Sequence, residues 1–244
     1  TTVDEMGKTT MCEHDIDVGD SKPIAQACRW LPIKIQKEIS EKIQELLDLG
    51  VIRPTKSNWA SPIVPVRKKN GEIRMCIDYR KLNDITIKDR SPLANLNELL
   101  DKAGMNGNRV FSSFDLMSGY HQVGMTARAR QISAFTSHMG MFEWVRMPFG
   151  LCNAPATFSN LMRSVIAKFQ QDQVFAYIDD ILLATLNIET HLPLLDRALK
   201  RFIECGLTIQ PKKSILFKSE VNFLGYIVSA SGVKADDTPR PKAS

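Results

Sequence analysis

From about residue 31 the chain takes on a helical pattern. Ile39, Ile43, Leu46 and Leu47 fall on one face, and Gly50 stands where a C-terminal cap belongs. Residues 1–30 before it are polar, without sustained periodicity, and read as an arm or linker. Ile63-Val64-Pro65-Val66 and Ile73-Arg74-Met75-Cys76-Ile77 flank Asn70-Gly71, a dipeptide that readily supplies positive backbone angles, so a hairpin is predicted there. A short apolar strand at 110–114 runs into Asp115, and strands at 133–137 and 141–147 are joined by His138-Met139-Gly140. Asn153 is placed to cap a helix that has Pro155 in its first turn. The apolar positions of that helix (Phe158, Leu161, Met162, Val165, Ile166 and Phe169) keep helical spacing. A second hairpin spans about 174–184 with Asp179-Asp180 at its tip. Leu192, Leu195, Leu199, Phe202 and Ile203 then mark an amphipathic helix that stops at Gly206, and strands follow at 214–217 and 221–228. Strands and helices mix without the Gly-rich phosphate loops of doubly wound folds, which predicts an α+β class.

Composition narrows the function classes a little. At 244 residues the chain is long enough for one or two structural units, with ordinary apolar and charged fractions. No window approaches the roughly 20 apolar residues of a membrane helix. The polar, acidic start lacks a signal-peptide pattern, so an intracellular place, in a cytoplasmic particle or the nucleus, is expected without a membrane partner. The first residue is Thr rather than Met, which points to a processed product or an excised fragment. Cys12, Cys28, Cys76, Cys152 and Cys205 lie far apart, giving neither zinc spacing nor a complete disulfide set, so reduced thiols are the simpler reading. The formal charge of +5 is mild. A protein with acids at a metal site and bases along a nucleic-acid track would show just such a muted balance.

The chemistry concentrates at the carboxylates. Asp179-Asp180 sits between two apolar runs, and Asp115 ends another strand. An isolated Asp pair between strands is usually a solvated turn. Adjacent acids repel, however, and three of them on two neighbouring strands suit a hard, oxygen-loving ion such as Mg²⁺. A pair of such ions about 3.5–4 Å apart would serve an in-line phosphoryl transfer. A cyclase or another palm-type nucleotidyltransferase would use the same acids, so the local pattern leaves these alternatives open.

A longer series of motifs is more specific. Trp59-Ala60-Ser61-Pro62-Ile63-Val64, Lys68-Lys69-Asn70-Gly71 and Arg74-Met75-Cys76-Ile77-Asp78-Tyr79-Arg80-Lys81-Leu82-Asn83 are followed by Phe114-Asp115-Leu116 and Ser118-Gly119-Tyr120-His121-Gln122. Ala134-Phe135, Met147-Pro148-Phe149-Gly150-Leu151, Asn153-Ala154-Pro155-Ala156-Thr157-Phe158, Tyr177-Ile178-Asp179-Asp180 and Phe223-Leu224-Gly225 continue it. In this order, over about residues 30–233, the series resembles reverse transcriptases, and the Met-Pro-Phe-Gly-Leu and Phe-Leu-Gly forms resemble those of gypsy-type long-terminal-repeat retrotransposons.

The resemblance implies a right-hand polymerase, its palm an antiparallel sheet backed by helices. It assigns 31–90 and 123–152 to fingers, 91–122 and 153–229 to palm, and 230–244 to the truncated start of a thumb or connection. It implies RNA- and DNA-directed DNA synthesis from deoxynucleoside triphosphates on a primed template, with two Mg²⁺ ions (Mn²⁺ as the alternative) on Asp115, Asp179 and Asp180. Arg74, with a basic residue of the Arg67–Lys69 run such as Lys68, would grip the triphosphate. Tyr120 would be the steric gate under the sugar, Phe149 and Gly150 would line the nucleotide pocket, and Lys213 matches a basic residue on the strand before the primer grip Phe223-Leu224-Gly225. Taken alone, each has a plainer reading: Arg74 and Lys68 as solvated charges, Tyr120 and Phe149 as core aromatics, Phe223 and Leu224 as strand packing. Ile132-Ser133 replaces the Lys-Thr of many relatives, Tyr226 their His, and Ser214 their Cys. Partners would include further polyprotein segments, a thumb and a ribonuclease H. The rival reading is a thumb-less relic or domesticated fragment that binds nucleic acid without polymerising.

Overall fold

The computed structural model describes residues 6–67, 71–92, 95–105, 107–169 and 173–236. The chain divides into two compact units, Thr1–Ser91 with Ser118–Phe158 and Pro92–Met117 with Ser159–Ser244. The first opens with β1 (Glu13–His14), α1 (Ile33–Asp48), β2 (Ile52–Pro54), β3 (Ser61–Arg67), β4 (Ile73–Ile77) and α2 (Arg80–Ile85). The second takes over with α3 (Leu96–Met105) and β5 (Val110–Asp115). The first resumes with a 3-10 turn (Gly119–Gln122), β6 (Gly124–Met125), α4 (Ala127–Ile132), β7 (Phe135–Ser137), β8 (Gly140–Trp144) and the start of α5 (Ala154–Ile166). The rest of α5, β9 (Val174–Tyr177), β10 (Asp180–Thr185), α6 (Ile188–Glu204), β11 (Ile215–Lys218), β12 (Glu220–Phe223), β13 (Tyr226–Ser229) and β14 (Gly232–Ala235) belong to the second.

In the first unit a five-stranded sheet has the order β2-β8-β7-β3-β4. All its pairs are antiparallel except β3 with β7. The predicted β3–β4 hairpin is present, with Gly71 at φ +85° and Asn70 outside the described residues. Helix α1 buries Ile39 and Ile43 completely. It ends as its sequence requires: Gly50, at φ +60°, donates to the Leu47 carbonyl and Val51 to that of Leu46, closing a Schellman motif. The arm, by contrast, is part of the fold. His14, Ile16 and Val18 are buried, and β1 pairs in parallel with β6. Among the described residues of the arm, the alternating buried run is His14, Ile16 and Val18, with a histidine among the three, too short a signal for periodicity to register. Asn153 also departs from its predicted role. Its carbonyl accepts the first helical bond, from Thr157, but its side chain joins a neighbouring loop, accepting from the Asp89 amide (3.0 Å) and donating to the Ile87 carbonyl (2.8 Å).

The second unit holds an all-antiparallel sheet in the order β11-β5-β10-β9, the sheet type expected of the palm. Residues Ile181, Leu182, Leu183 and Ala184 of the central β10 are wholly buried, hence their unbroken apolar run. Helix α6 presents His191, Leu194, Leu195, Ala198 and Phe202 inward. Leu192 and Ile203, expected on that face, are exposed. The stripe is shifted because its inward positions include a histidine and a small alanine, which an apolar count overlooks. His191 is satisfied in a directed chain of hydrogen bonds: Ser112 Oγ and Thr185 Oγ1 each lie 2.8 Å from a ring nitrogen, and the Thr185 hydroxyl donates onward to the Asn187 carbonyl (3.1 Å). A meander β12-β13-β14 and helix α3 enclose Leu100, Ala103, Phe111, Phe175, Val221, Phe223 and Val228.

Gly104 lets α3 approach β14. A Cβ there would meet Val233 Cγ2 at 2.7 Å. Gly104→Ala is therefore expected to destabilise by about 1–2 kcal/mol, overpacking outweighing the gain in helix propensity. An unchanged or raised urea midpoint would show that Val233 yields freely.

Candidate active site

The acids come together in the second unit for a simple topological reason. Strands β5 and β10 are antiparallel neighbours, and their register sets Asp115 directly opposite Asp180. Asp180 also pairs with Tyr177 across the tight β9–β10 turn, which Asp179 completes beside Ile178 at φ +54°. Lys213 is delivered to the same place by backbone: Gln210 donates to the Asp115 carbonyl (2.8 Å), and the 3-10 turn Pro211–Lys213 folds back from there. Lys213 Nζ then donates to Asp115 Oδ2 (3.0 Å). The motif match set Lys213 on the strand preceding the primer grip; it lies on this 3-10 turn, at the carboxylates.

Electrostatically the cluster is short of positive charge. Burial pushes the Asp179 carboxyl up, with the Asp115 charge adding to it. Burial, then the charges of Asp179 and Asp115, lift Asp180 to about 6, against the opposing pull of Lys213. The charge of Asp115 bears on both Asp179 and Asp180, and the Lys213 ammonium opposes it. Among the described residues no three acidic, His or Cys side chains already converge as a preformed cage; Asp115 is engaged by Lys213 instead. The donor set still fits a hard divalent cation, since all-oxygen ligands with surplus negative charge are what Mg²⁺ selects. Asp115, Asp179 and Asp180 are the residues able to hold one.

A second cluster forms within the first unit. Arg74, on β4, places its guanidinium over the Phe149 ring, 5.2 Å from the centroid. Phe149 is 47% exposed and stacks on Tyr120 (5.0 Å, 30°), which in turn lies against Phe158 (5.4 Å). His121 stacks on Trp144 (5.4 Å, 14°), and its Nδ1–H donates to the Met147 carbonyl (3.1 Å). Burial lowers the His121 imidazole to about 4, which keeps it neutral. Gly150 follows at φ +95°, a conformation that requires glycine, and its carbonyl accepts from Asn83 (2.8 Å). A cavity of about 590 Å³ is lined by Arg74, Phe149, Gly150, His121, Trp144 and Met6. An exposed cation over an aromatic face beside a roomy cleft suits an anionic, partly planar ligand. Lys68 lies outside the described residues. Arg67, from the same basic run, is exposed and donates to the Gly71 carbonyl (3.2 Å).

The expected primer-grip residues take a different form. Phe223 is a core residue of the second unit, 2% exposed. Leu224 (φ +51°) and Gly225 (φ +85°) are the two central residues of the β12–β13 turn, and Phe223 pairs with Tyr226 across it. Positive angles at both positions make this the primed turn that suits strand twist. Phe158, which sequence periodicity assigns to a core stripe, also forms the platform for Tyr120; periodicity has no signal that separates those two roles.

Comparison to known proteins gives the family. The profile of the family described as "Reverse transcriptase (RNA-dependent DNA polymerase)" matches residues 66–228. The chain belongs to the reverse transcriptase family. It is 35% identical over 231 residues to the retrovirus-related Pol polyprotein from transposon 297 of Drosophila melanogaster, covering 93% of this chain and 22% of that polyprotein. The polyprotein from transposon gypsy of the same organism is 31% identical over 242 residues, covering 97% of this chain and 23% of the relative. Among solved structures, foamy viral protease-reverse transcriptase in complex with RNA/DNA hybrid superposes with a TM-score of 0.85 at 28% identity, covering 95% of this chain and 31% of that one. The gypsy-type character and the α+β polymerase fold expected from the motifs both hold. The reverse transcriptase chain thus spans under a quarter of the length of these polyproteins. Among the described residues no helix is long and apolar enough to cross a membrane.

Proposed function

We propose that this chain catalyses template-directed transfer of deoxynucleotides to a primer 3′-hydroxyl, with release of pyrophosphate, on RNA and DNA templates. One observation carries the reading: Asp115 and Asp180 face each other on adjacent strands, with Asp179 next to them, and burial and mutual repulsion hold Asp179 and Asp180 short of ready ionisation. Such a cluster is stabilised by cations. Two Mg²⁺ ions, when bound by Asp115, Asp179 and Asp180, would supply Lewis acidity and charge neutralisation for phosphoryl transfer. The chain's own side chains do the rest. Arg74 grips the triphosphate, its planar fork suited to two phosphate oxygens at once. Phe149 and Gly150 line the pocket, and Tyr120, backed by Phe158, excludes a 2′-hydroxyl by bulk. Lys213 holds a positive charge at the carboxylates. Phe223, Leu224 and Gly225, at the β12–β13 turn, serve as the primer grip. In this reading 31–90 and 123–152 provide the fingers, and 91–122 and 153–229 the palm. Template and primer are held through phosphates and duplex shape with little base readout, and further polyprotein segments supply a thumb and a ribonuclease H.

The test is extension of a DNA primer on an RNA template by purified protein with Mg²⁺ and the four deoxynucleoside triphosphates. Extension by the wild type that disappears in Asp115→Asn is the expected result. Tight binding of the primed template with no extension under any divalent cation would establish the binding-only fragment instead.

A further inference from the structure

Within the first unit, residues 6–15 run beside the segment 119–126 that carries Tyr120. The Thr9 amide donates to the Gln122 carbonyl (2.9 Å), Glu13 and His14 pair with Gly124 and Met125, and the Thr126 amide donates back to His14 (3.0 Å). Residues 145–147 hold the same segment from elsewhere along it. The Met125 amide donates to Val145 (3.0 Å), and the Met147 amide donates to Val123 (2.9 Å). That second neighbour continues directly into Pro148, Phe149 and Gly150. Arg146 joins the three strands, its Nη1 donating to the carbonyls of Gly7 (3.2 Å) and of His121 (3.4 Å), the residue after Tyr120. Buried Met6 lines the cavity that also holds Arg74 and Phe149.

The Tyr120 turn runs from Ser118 to Val123. Ser118 enters it in the left-handed region (φ +50°), which a non-glycine residue adopts at a cost. Two local bonds, His121 amide to Ser118 carbonyl (2.8 Å) and Val123 amide to Tyr120 carbonyl (3.1 Å), close it. The arm and residues 145–147 add backbone restraint on its far side.

We infer that the N-terminal strap, residues 6–15, acts with Arg146 to position the Tyr120 turn and thereby sets nucleotide affinity and sugar selection. The inference rests on the polymerase reading above. Thr9 and Arg146 are positioning residues: they hold the backbone around Tyr120 rather than the substrate. A gate that works by bulk depends on where the ring sits, and a shift near 1 Å in a positioning contact costs up to about 100-fold.

The experiment is single-nucleotide insertion, with deoxy- and ribonucleoside triphosphates, by the wild type, Thr9→Pro (which removes the amide donor), Arg146→Met and Arg146→Lys. Thr9→Pro and Arg146→Met are expected to raise KM for the deoxynucleotide roughly 10-fold, with a smaller change in kcat, and to narrow the deoxy-over-ribo preference by a similar factor. Arg146→Lys, which keeps a donor, should recover most of both. Circular dichroism confirms that the compared variants are folded; if Thr9→Pro is not, the Arg146 pair decides. An active wild type whose folded variants keep both KM and sugar preference would show that the Tyr120–Phe149–Phe158 packing suffices, and would overturn the strap's role alone. A wild type that extends no primer overturns the polymerase reading and this inference together, so the two failures are told apart in the wild-type lane.

Discussion

Asp179→Asn is expected to slow primer extension roughly 10³-fold, the scale of losing one preorganised electrostatic group at a reaction centre, while leaving the protein more stable. Both effects have one origin. Asp179 is held half-buried next to Asp180, and its charge is one of the causes that lift Asp180 to about 6. Asn is nearly the same shape and carries no charge. The substitution therefore removes a buried carboxylate and relieves its neighbour, a gain of roughly 1 kcal/mol, or about 2–4 °C in melting temperature for a chain of this size. The same neutrality deprives the cluster of the charge that attracts a divalent cation. Gain in stability with loss of activity is the pattern of a site kept strained for function. An ordinary solvated turn would show neither change. Melting scans and extension assays on one preparation are enough; an unchanged rate would return Asp179 to a structural role.

How far the sequence could be read depended on which atoms carry each feature. The β3–β4 hairpin, the β9–β10 hairpin and the α5 stripe are written in side-chain patterns and were legible, and so was the acid triad once the surrounding motifs were recognised. The pairing of Lys213 with Asp115 was not, because 98 residues separate them and the link runs through a 3-10 turn hung on the Asp115 carbonyl. Helix α3 escaped notice because its buried positions, Leu100 and Ala103, are few and a helix-weakening Gly104 follows them. The strap is the extreme case. Its bonds to 122–126 are mostly backbone to backbone, so apart from the inward His14, Ile16 and Val18 almost any sequence would make them. Phe223 is legible in both ways, as a motif residue and as an apolar strand position that packs into the core.

Acid should weaken the first unit through His14, a residue no motif pointed to. The side chain is 1% exposed, and its Nδ1 lies 2.8 Å from Thr157 Oγ1, so the strap is pinned to α5 by a neutral imidazole. Burial lowers it from an ordinary 6.5 to about 4, with the Asp15 charge pulling weakly the other way. Because the folded value lies below the unfolded one, the unfolded chain binds the extra proton between these limits. The contribution to stability is complete above pH 6.5 and declines as the pH falls toward 4. At pH 5 the loss comes to about 2 kcal/mol, and to roughly 3 kcal/mol when both states are protonated. His121, also lowered to about 4 by burial, adds in the same direction. His14→Gln, which keeps a polar group near Thr157 but does not titrate, is expected to cut the pH 7.5-to-5 difference in urea-derived stability by about 2 kcal/mol relative to wild type. Parallel wild-type and variant curves across that range would mean that His14 titrates alike in the folded and the unfolded chain, so that burial does not set its proton affinity.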